Sequence, residues 1–173
     1  MKFLYILAFG LFSLAVFHNC QNQTETKETV KKDSAQTESK QEISKPKLNY
    51  AKYTDSTIYP NGGSELSVLM REMYDDSETI KKAVLEGKLP PDFREKFRYL
   101  HAATPTDKDT KTEAFPDMAK AFEDNLNRLY EEKDEKKRIK QFDIVIQNCV
   151  TCHQSHCPGP IKKIKKLNIK ETN

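Results

Sequence analysis

The sequence contains no tryptophan, only four cysteines and only four histidines, and its body lacks a long apolar run. A membrane-spanning helix needs about 20 apolar residues, so a protein with several membrane spans is excluded. The formal net charge is +3, from 29 basic and 26 acidic residues, whereas nucleic-acid binders usually carry a clustered basic excess. A chain of 173 residues is long enough for one domain. No catalytic acid–base pair or activated nucleophile is evident, so the sequence does not indicate an enzyme.

The first residues have the layout of a secretory signal. Lys2 gives a positive start, residues 3–17 are largely apolar, and Cys20 follows closely. A single anchoring helix is the alternative, although this apolar run is short for a bilayer span. A cysteine between such a run and a polar segment resembles a bacterial lipoprotein signal, in which the cysteine carries the lipid. We therefore expect residues 1–19 to be a signal peptide and Cys20 to anchor an exported protein on the periplasmic side of a membrane.

The segment that follows Cys20 is polar. Residues 21–48 consist almost wholly of Gln, Asn, Thr, Ser, Lys and Glu, with four apolar exceptions. Such a composition buries too little surface to offset the entropy of ordering. We expect residues 20–61 to be a disordered tether and lead-in that holds a small domain away from the membrane. A spacer without any function is the alternative.

Residues 62–160 show helical periodicity and no alternating strand pattern. Ser64 is a good N-cap for the first helix, and the charge-dense residues 131–140 predict a solvated turn before the last one. Short connections between amphipathic helices favour an all-α domain, an antiparallel four-helix bundle. The four predicted segments run from Ser64 to Gly87, from Pro90 to Pro105, from Pro116 to about Glu131, and from Ile139 to Pro158.

Residues 149–153 read Cys-Val-Thr-Cys-His, which is the C-x-x-C-H pattern of covalent c-type haem attachment. On a helix, Cys149 and Cys152 share one face, where both thiols can form thioethers with the vinyl groups of one porphyrin. His153 then projects to the iron as the proximal ligand. The pattern also explains export, because c-type haem is generally attached outside the cytoplasm. We expect one covalent haem c.

Two other uses of these cysteines are possible. A redox C-x-x-C pair is expected near a βαβ pattern, and the sequence shows none. A structural zinc site could use Cys149, Cys152, His156 and Cys157, but structural zinc normally joins two ligand pairs that a loop separates. Cys157 itself has no obvious partner, and it is either a free thiol or a site of intermolecular pairing.

The helical pattern with C-x-x-C-H near its end resembles the cytochrome c prime family, including its low-spin methionine-ligated members. The resemblance covers about residues 62–157 and depends on residues 149–153 and on Leu69 to Met73 in the first helix. It implies that Met70 is the sixth iron ligand in an electron carrier with redox protein partners. The high-spin members imply the alternative, a five-coordinate haem that binds nitric oxide or another small gas. Family members often form a homodimer through the first two helices.

The residues themselves leave the sixth ligand open. Methionine binds haem iron and raises its potential, but a methionine on an apolar helical stripe is more often part of the core. Met73, one turn after Met70, is the next candidate. His101 is a third candidate that would give bis-histidine iron, and its alternative role is a helix-end histidine that interacts with the helix dipole.

Residues 161–173 form a basic tail with five lysines and one glutamate. Such a patch could attract an acidic redox partner or anionic lipid. The alternative is a solvated surface without a partner, and the sequence favours it.

Overall fold

The computed structural model describes residues 42–59 and 63–169, and all regular structure in these two ranges is helical. This confirms the all-α prediction. The predicted signal peptide, Cys20 and most of the predicted tether lie outside the described residues. The α-helices are α1 (Tyr50–Tyr53), α2 (Glu65–Leu85), α3 (Arg94–Arg98), α4 (Phe115–Glu131), α5 (Glu135–His156) and α6 (Ile161–Ile164), and 3-10 turns cover Tyr99–His101, Lys108–Thr110 and Lys165–Leu167.

Helix α2 begins and ends where its sequence signals place it. The Ser64 hydroxyl accepts from the Ser67 N–H (3.2 Å) and caps the first turn. At the other end Gly87 adopts a positive φ of 68°, which a side chain would disfavour. This conformation lets the Lys88 N–H reach the Ala83 carbonyl (2.9 Å), closing a Schellman motif.

The second predicted helix is much shorter than its apolar pattern suggested. Within the predicted range of residues 90–105, only α3 and the 3-10 turn after it are helical. Phe97 is buried and its ring lies 6.1 Å from that of Phe122 on α4. Lys96 forms ion pairs with Glu72 and Asp76 of α2. Helix α3 therefore bridges α2 and α4.

The predicted solvated turn at residues 131–140 is correct only in its first part. Helix α5 already begins at Glu135, where the Asp134 carboxylate caps it by accepting from the Lys137 N–H (2.9 Å). Arg138 is buried, and its guanidinium donates to the Glu132 carbonyl at 2.8 and 3.0 Å. Most charged residues of this segment therefore lie on the exposed side of a helical turn. Arg138 is the exception, because its side chain packs against the end of α4.

The core lies between α2, α3, α4 and α5. Helix α5 runs back along α4, with Asn125 paired to Asn148 (2.8 Å) and Phe115 against His156 at the far end. Helix α5 also contacts α2, and a Cβ on Gly87 would lie 3.0 Å from the Glu135 carboxylate. The largest fully buried side chains are Val68, Leu69, Ile80, Val84, Leu126, Leu129, Phe142, Ile146 and Val150.

The folded region starts before residue 62. Leu48 and Tyr53 are buried in the core cluster, and α1 packs against α2. The Tyr53 hydroxyl donates to Asp75 (2.5 Å), and Arg71 donates to the Tyr53 carbonyl (2.7 Å). Within the predicted lead-in, residues 42–59 therefore contribute to the folded domain.

The described part of the basic tail, residues 161–169, folds back over α2 and α5, and we call it the C-terminal strap. Its Ile164 and Leu167 side chains are buried. Lys81 of α2 donates to the Lys166 and Asn168 carbonyls at 3.2 and 3.0 Å, closing the end of the strap. The strap lysines are exposed, so the same segment is a solvated surface on one side and a packing element on the other.

No helix within residues 42–59 and 63–169 combines the length and hydropathy that crossing a bilayer would require.

Acid should weaken the fold through Glu65 at the start of α2. Its carboxylate pairs with Lys45 and accepts from the Thr104 N–H (3.0 Å) and the Tyr99 hydroxyl (2.9 Å), which lowers its pKa from 4.5 to about 2. Because the folded-state pKa is depressed, this stabilisation is present above pH 4.5 and is lost as the pH falls towards 2.

We expect Glu65→Gln to lower the free energy of unfolding at pH 7 by about 1–2 kcal/mol and to flatten its dependence on pH below 4.5. Denaturation midpoints measured from pH 7 to 2 test this, with the exposed Glu113→Gln as the control. An unchanged acid slope in Glu65→Gln would show that other carboxylates cause the acid sensitivity.

Candidate cofactor site

The C-x-x-C-H residues lie in the last two turns of α5. Cys149 is partly buried and packs against the core cluster, and Val150 beside it is fully buried. Cys152 is partly buried one turn later. Both cysteines are free thiols and, at i and i+3, lie on the same side of the helix. The helix therefore fixes the spacing of the two sulfur atoms.

Both thiols are protonated at neutral pH. Burial raises the pKa of Cys149 to about 12, and the neighbouring Cys152 adds a smaller effect in the same direction. Burial also raises the pKa of Cys152. The motif is near the C-terminal end of α5, where the helix dipole opposes a thiolate. Reactive dithiols instead need a lowered pKa, so these surroundings do not favour a redox pair.

His153 has its ring held in one orientation by its own helix. Its Nδ1–H donates to the Cys149 carbonyl at 2.8 Å, because a carbonyl oxygen can only accept. Burial lowers the pKa of His153, so the imidazole is neutral at pH 7. With the proton fixed on Nδ1, Nε2 is the nitrogen that carries the lone pair, as a metal-ligating histidine requires.

The contact between the ends of α2 and α5 indicates where Met70 should lie relative to the motif. Gly87 is adjacent to Glu135, so the C-terminal end of α2 meets the N-terminal end of α5. Met70 comes 17 residues before Gly87, and Cys152 comes 17 residues after Glu135. At a rise of about 1.5 Å per residue along each helix, we expect Met70 and Cys152 to lie at a similar level.

The two methionines differ in burial. Met73 is only 7% exposed and belongs to the core cluster, whereas Met70 is partly exposed and packs at its edge. Met70 shares a helical face with Tyr74 and Lys81, which contact the C-terminal strap. It therefore lies on the side of α2 that adjoins the strap.

His101 and His156 contact α4 or the loop before it. The Nε2 atom of His101 lies 3.2 Å from Glu123 Oε2, and Arg98 pairs with the same carboxylate. The His156 ring lies edge-on to Phe115, 5.4 Å between centroids. Cys157 is exposed just past the end of α5.

Within the described parts of the chain, no three His, Cys, Asp or Glu side chains converge as a group that could hold a metal ion. The four zinc candidates on and after α5 are among the residues covered by this statement. The thioether use of the two cysteines does not require such a group, because the porphyrin supplies four of the iron ligands.

Comparisons with family models, with curated proteins and with solved structures find no match for this chain. The functional interpretation therefore depends on the sequence pattern and on the contacts around Cys149, Cys152 and His153.

Proposed function

We propose that this chain is a monohaem c-type cytochrome that carries single electrons between exported or membrane-bound redox proteins. The observation that carries the proposal is the hydrogen bond from His153 Nδ1 to the Cys149 carbonyl. It leaves Nε2 free for a metal directly after two cysteines with helical spacing. A redox dithiol or a buried structural cysteine pair needs no such histidine beside it.

The residues fit covalent haem. Cys149 and Cys152 would each add to one vinyl group of the same porphyrin, and their protonated thiols carry the hydrogen that such an addition transfers to carbon. His153 Nε2 would hold the iron. When bound, haem supplies a one-electron ferric–ferrous couple whose potential depends on the axial ligands and the surroundings. The chain's own part is to attach, orient and partly bury the group.

We further infer that α2, α3, α4 and α5 form an antiparallel four-helix bundle. The supporting contacts join the ends of consecutive helices in alternating directions. Phe93 at the start of α3 meets Tyr130 at the end of α4, and Phe115 at the start of α4 meets His156 at the end of α5. In such a bundle, side chains from facing helices enclose a cofactor in the core.

Met70 is our candidate for the second axial ligand. Its expected level, counted from the contact between Gly87 and Glu135, matches that of Cys152, and it packs at the edge of the core rather than in its centre. Met73 is more deeply buried, and His101 has its Nε2 beside Glu123. Met73 and His101 are the alternative axial ligands, and the absorption spectra of their alanine variants test them.

Replacing the methionines tests the carrier proposal. The wild-type protein should show sharp α and β bands when reduced, which indicate low-spin, six-coordinate iron. Met70→Ala should abolish these bands and lower the reduction potential by about 59 mV or more, a tenfold change in the redox ratio, because methionine raises the potential of haem iron.

Met118→Ala is the matched control, since Met118 is also partly buried but lies on α4. It should leave the spectrum and potential unchanged. If Met73→Ala or His101→Ala removes the bands instead, that residue is the ligand. A broad high-spin spectrum in the wild-type protein that changes on addition of nitric oxide would contradict electron transfer and favour gas binding.

A further inference from the structure

Lys111 is a partly buried cation at the end of the bundle where α5 ends. It follows the 3-10 turn Lys108–Thr110 and donates to the Leu100 and His101 carbonyls, each at 3.0 Å. Its ammonium also lies 5.0 Å from the ring centroid of Phe115. These contacts hold the side chain inward rather than in solvent.

No ion pair neutralises Lys111. In the described part of the chain, no carboxylate lies within ion-pair distance of its ammonium. Glu65, which is paired with Lys45, attracts it only at longer range, and burial, the larger effect, lowers the pKa of Lys111. Lys96, another inward lysine, pairs with both Glu72 and Asp76. A desolvated cation without a counterion is costly, and an anion that binds beside it removes that cost.

His156 approaches the same phenylalanine from α5. Its ring lies 5.4 Å from that of Phe115, and its Nδ1 is 3.5 Å from the hydroxyl of Thr112, the residue after Lys111. Its Nε2 atom is buried and has no hydrogen-bond partner among the described residues. In the tautomer in which the Thr112 hydroxyl donates to Nδ1, Nε2 carries the hydrogen and needs an acceptor.

We propose that Lys111 and His156 bind a carboxylate group, which in the loaded protein is a propionate of the haem. This inference rests on the proposed function and adds the residues that hold the polar edge of the cofactor. His156 lies one turn after His153 on the same helix. Both side chains contact Phe115, and together they supply the charge and the hydrogen-bond donor that a carboxylate requires.

The test is the reduction potential of the haem-loaded full chain, measured in a buffer free of carboxylates and again with acetate. Removing a positive charge near the iron favours the ferric form. Lys111→Gln should therefore raise the ratio of oxidised to reduced protein at a fixed potential about tenfold, a fall of about 59 mV. Lys111→Arg should restore the wild-type value. Lys108→Gln, which removes an exposed charge from the same loop, should have less than a third of the effect.

His156→Phe supplies the second variant, since it keeps a ring against Phe115 but removes the Nε2–H. It should lower the potential as well, and its effect should not add fully to that of Lys111→Gln if both residues hold one carboxylate. A lysine that only caps the Leu100 and His101 carbonyls would alter folding stability without this shift in potential. Unchanged absorption bands in each variant show that the axial ligands are retained.

The two sources of a carboxylate give different results. A shift that acetate does not alter identifies the propionate, whereas a wild-type potential that depends on acetate, and does so only with Lys111 present, identifies a free carboxylate. Equal effects of Lys111→Gln and Lys108→Gln without acetate dependence would overturn the site.

If the exported protein contains no haem, the proposed function fails. The carboxylate site is then supported or refuted by whether acetate raises the melting temperature of wild-type protein but not of Lys111→Gln.

Discussion

Replacing Cys149 and Cys152 together by serine should remove all covalently bound haem from the exported protein. The two thiols are the only attachment points that the motif offers, and serine keeps their size while it cannot form a thioether. Haem that stays with the polypeptide through denaturing electrophoresis measures the attachment. Each single substitution should leave at most one thioether and reduce the yield of loaded protein.

Cys157→Ser is the matched control for this experiment. Cys157 is exposed beyond the end of α5 and lies outside the C-x-x-C-H spacing. Its replacement should leave haem attachment unchanged. Covalent haem on the double serine variant, or its loss from Cys157→Ser, would refute the assignment of Cys149 and Cys152.

Leu167→Ala should destabilise the domain by about 2–5 kcal/mol, as expected for truncation of a buried leucine. Leu167 belongs to the C-terminal strap and is only 3% exposed. The strap reaches both α2 and α5, through the bonds from Lys81 and through the Ile169 N–H that donates to Asp143 at 2.8 Å. Losing this packing should weaken the contact between α5, which carries the C-x-x-C-H residues, and α2, which carries Met70.

Denaturant unfolding of the full chain measures this loss, with Lys165→Ala as the control. Lys165 occupies the same strap, but its side chain is exposed, so its replacement should change the free energy of unfolding by about 0.5 kcal/mol or less. Equal stability of Leu167→Ala and Lys165→Ala would mean that the strap does not contribute to the fold.

The long helices could be predicted from the sequence because their signals are local. Ser64 and Gly87 mark the ends of α2 with side-chain and backbone chemistry that acts within a few residues. The start of α5 is less evident, because its first turn is densely charged. Asp134 is a local capping signal there, and the contact of Arg138 with the end of α4 adds a tertiary contact that composition does not reveal.

The packed segments at both ends of the domain were harder to predict. Leu48, Ile164 and Leu167 are isolated apolar residues among polar neighbours, and composition alone favours solvated chain there. Their burial depends on surfaces that α2 and α5 create together. Composition measures what a segment could bury by itself, so it misses short segments that complete another element's core.

The residues of the candidate site also differ in whether the sequence alone could predict them. Cys149, Cys152 and His153 are recognisable because their geometry is set within one helix. Lys111 lies in a loop with no periodicity, and its inward position depends on the carbonyls of Leu100 and His101. No local pattern in the sequence could have identified that lysine.

The measurement that tests the central claim most directly is a pyridine haemochrome assay on the exported full chain after removal of free haem. The account predicts one haem c per polypeptide, with the absorption bands of a haem joined by two thioethers. A colourless protein, or haem that is removed by extraction, would contradict the cytochrome assignment and leave Cys149 and Cys152 as ordinary thiols.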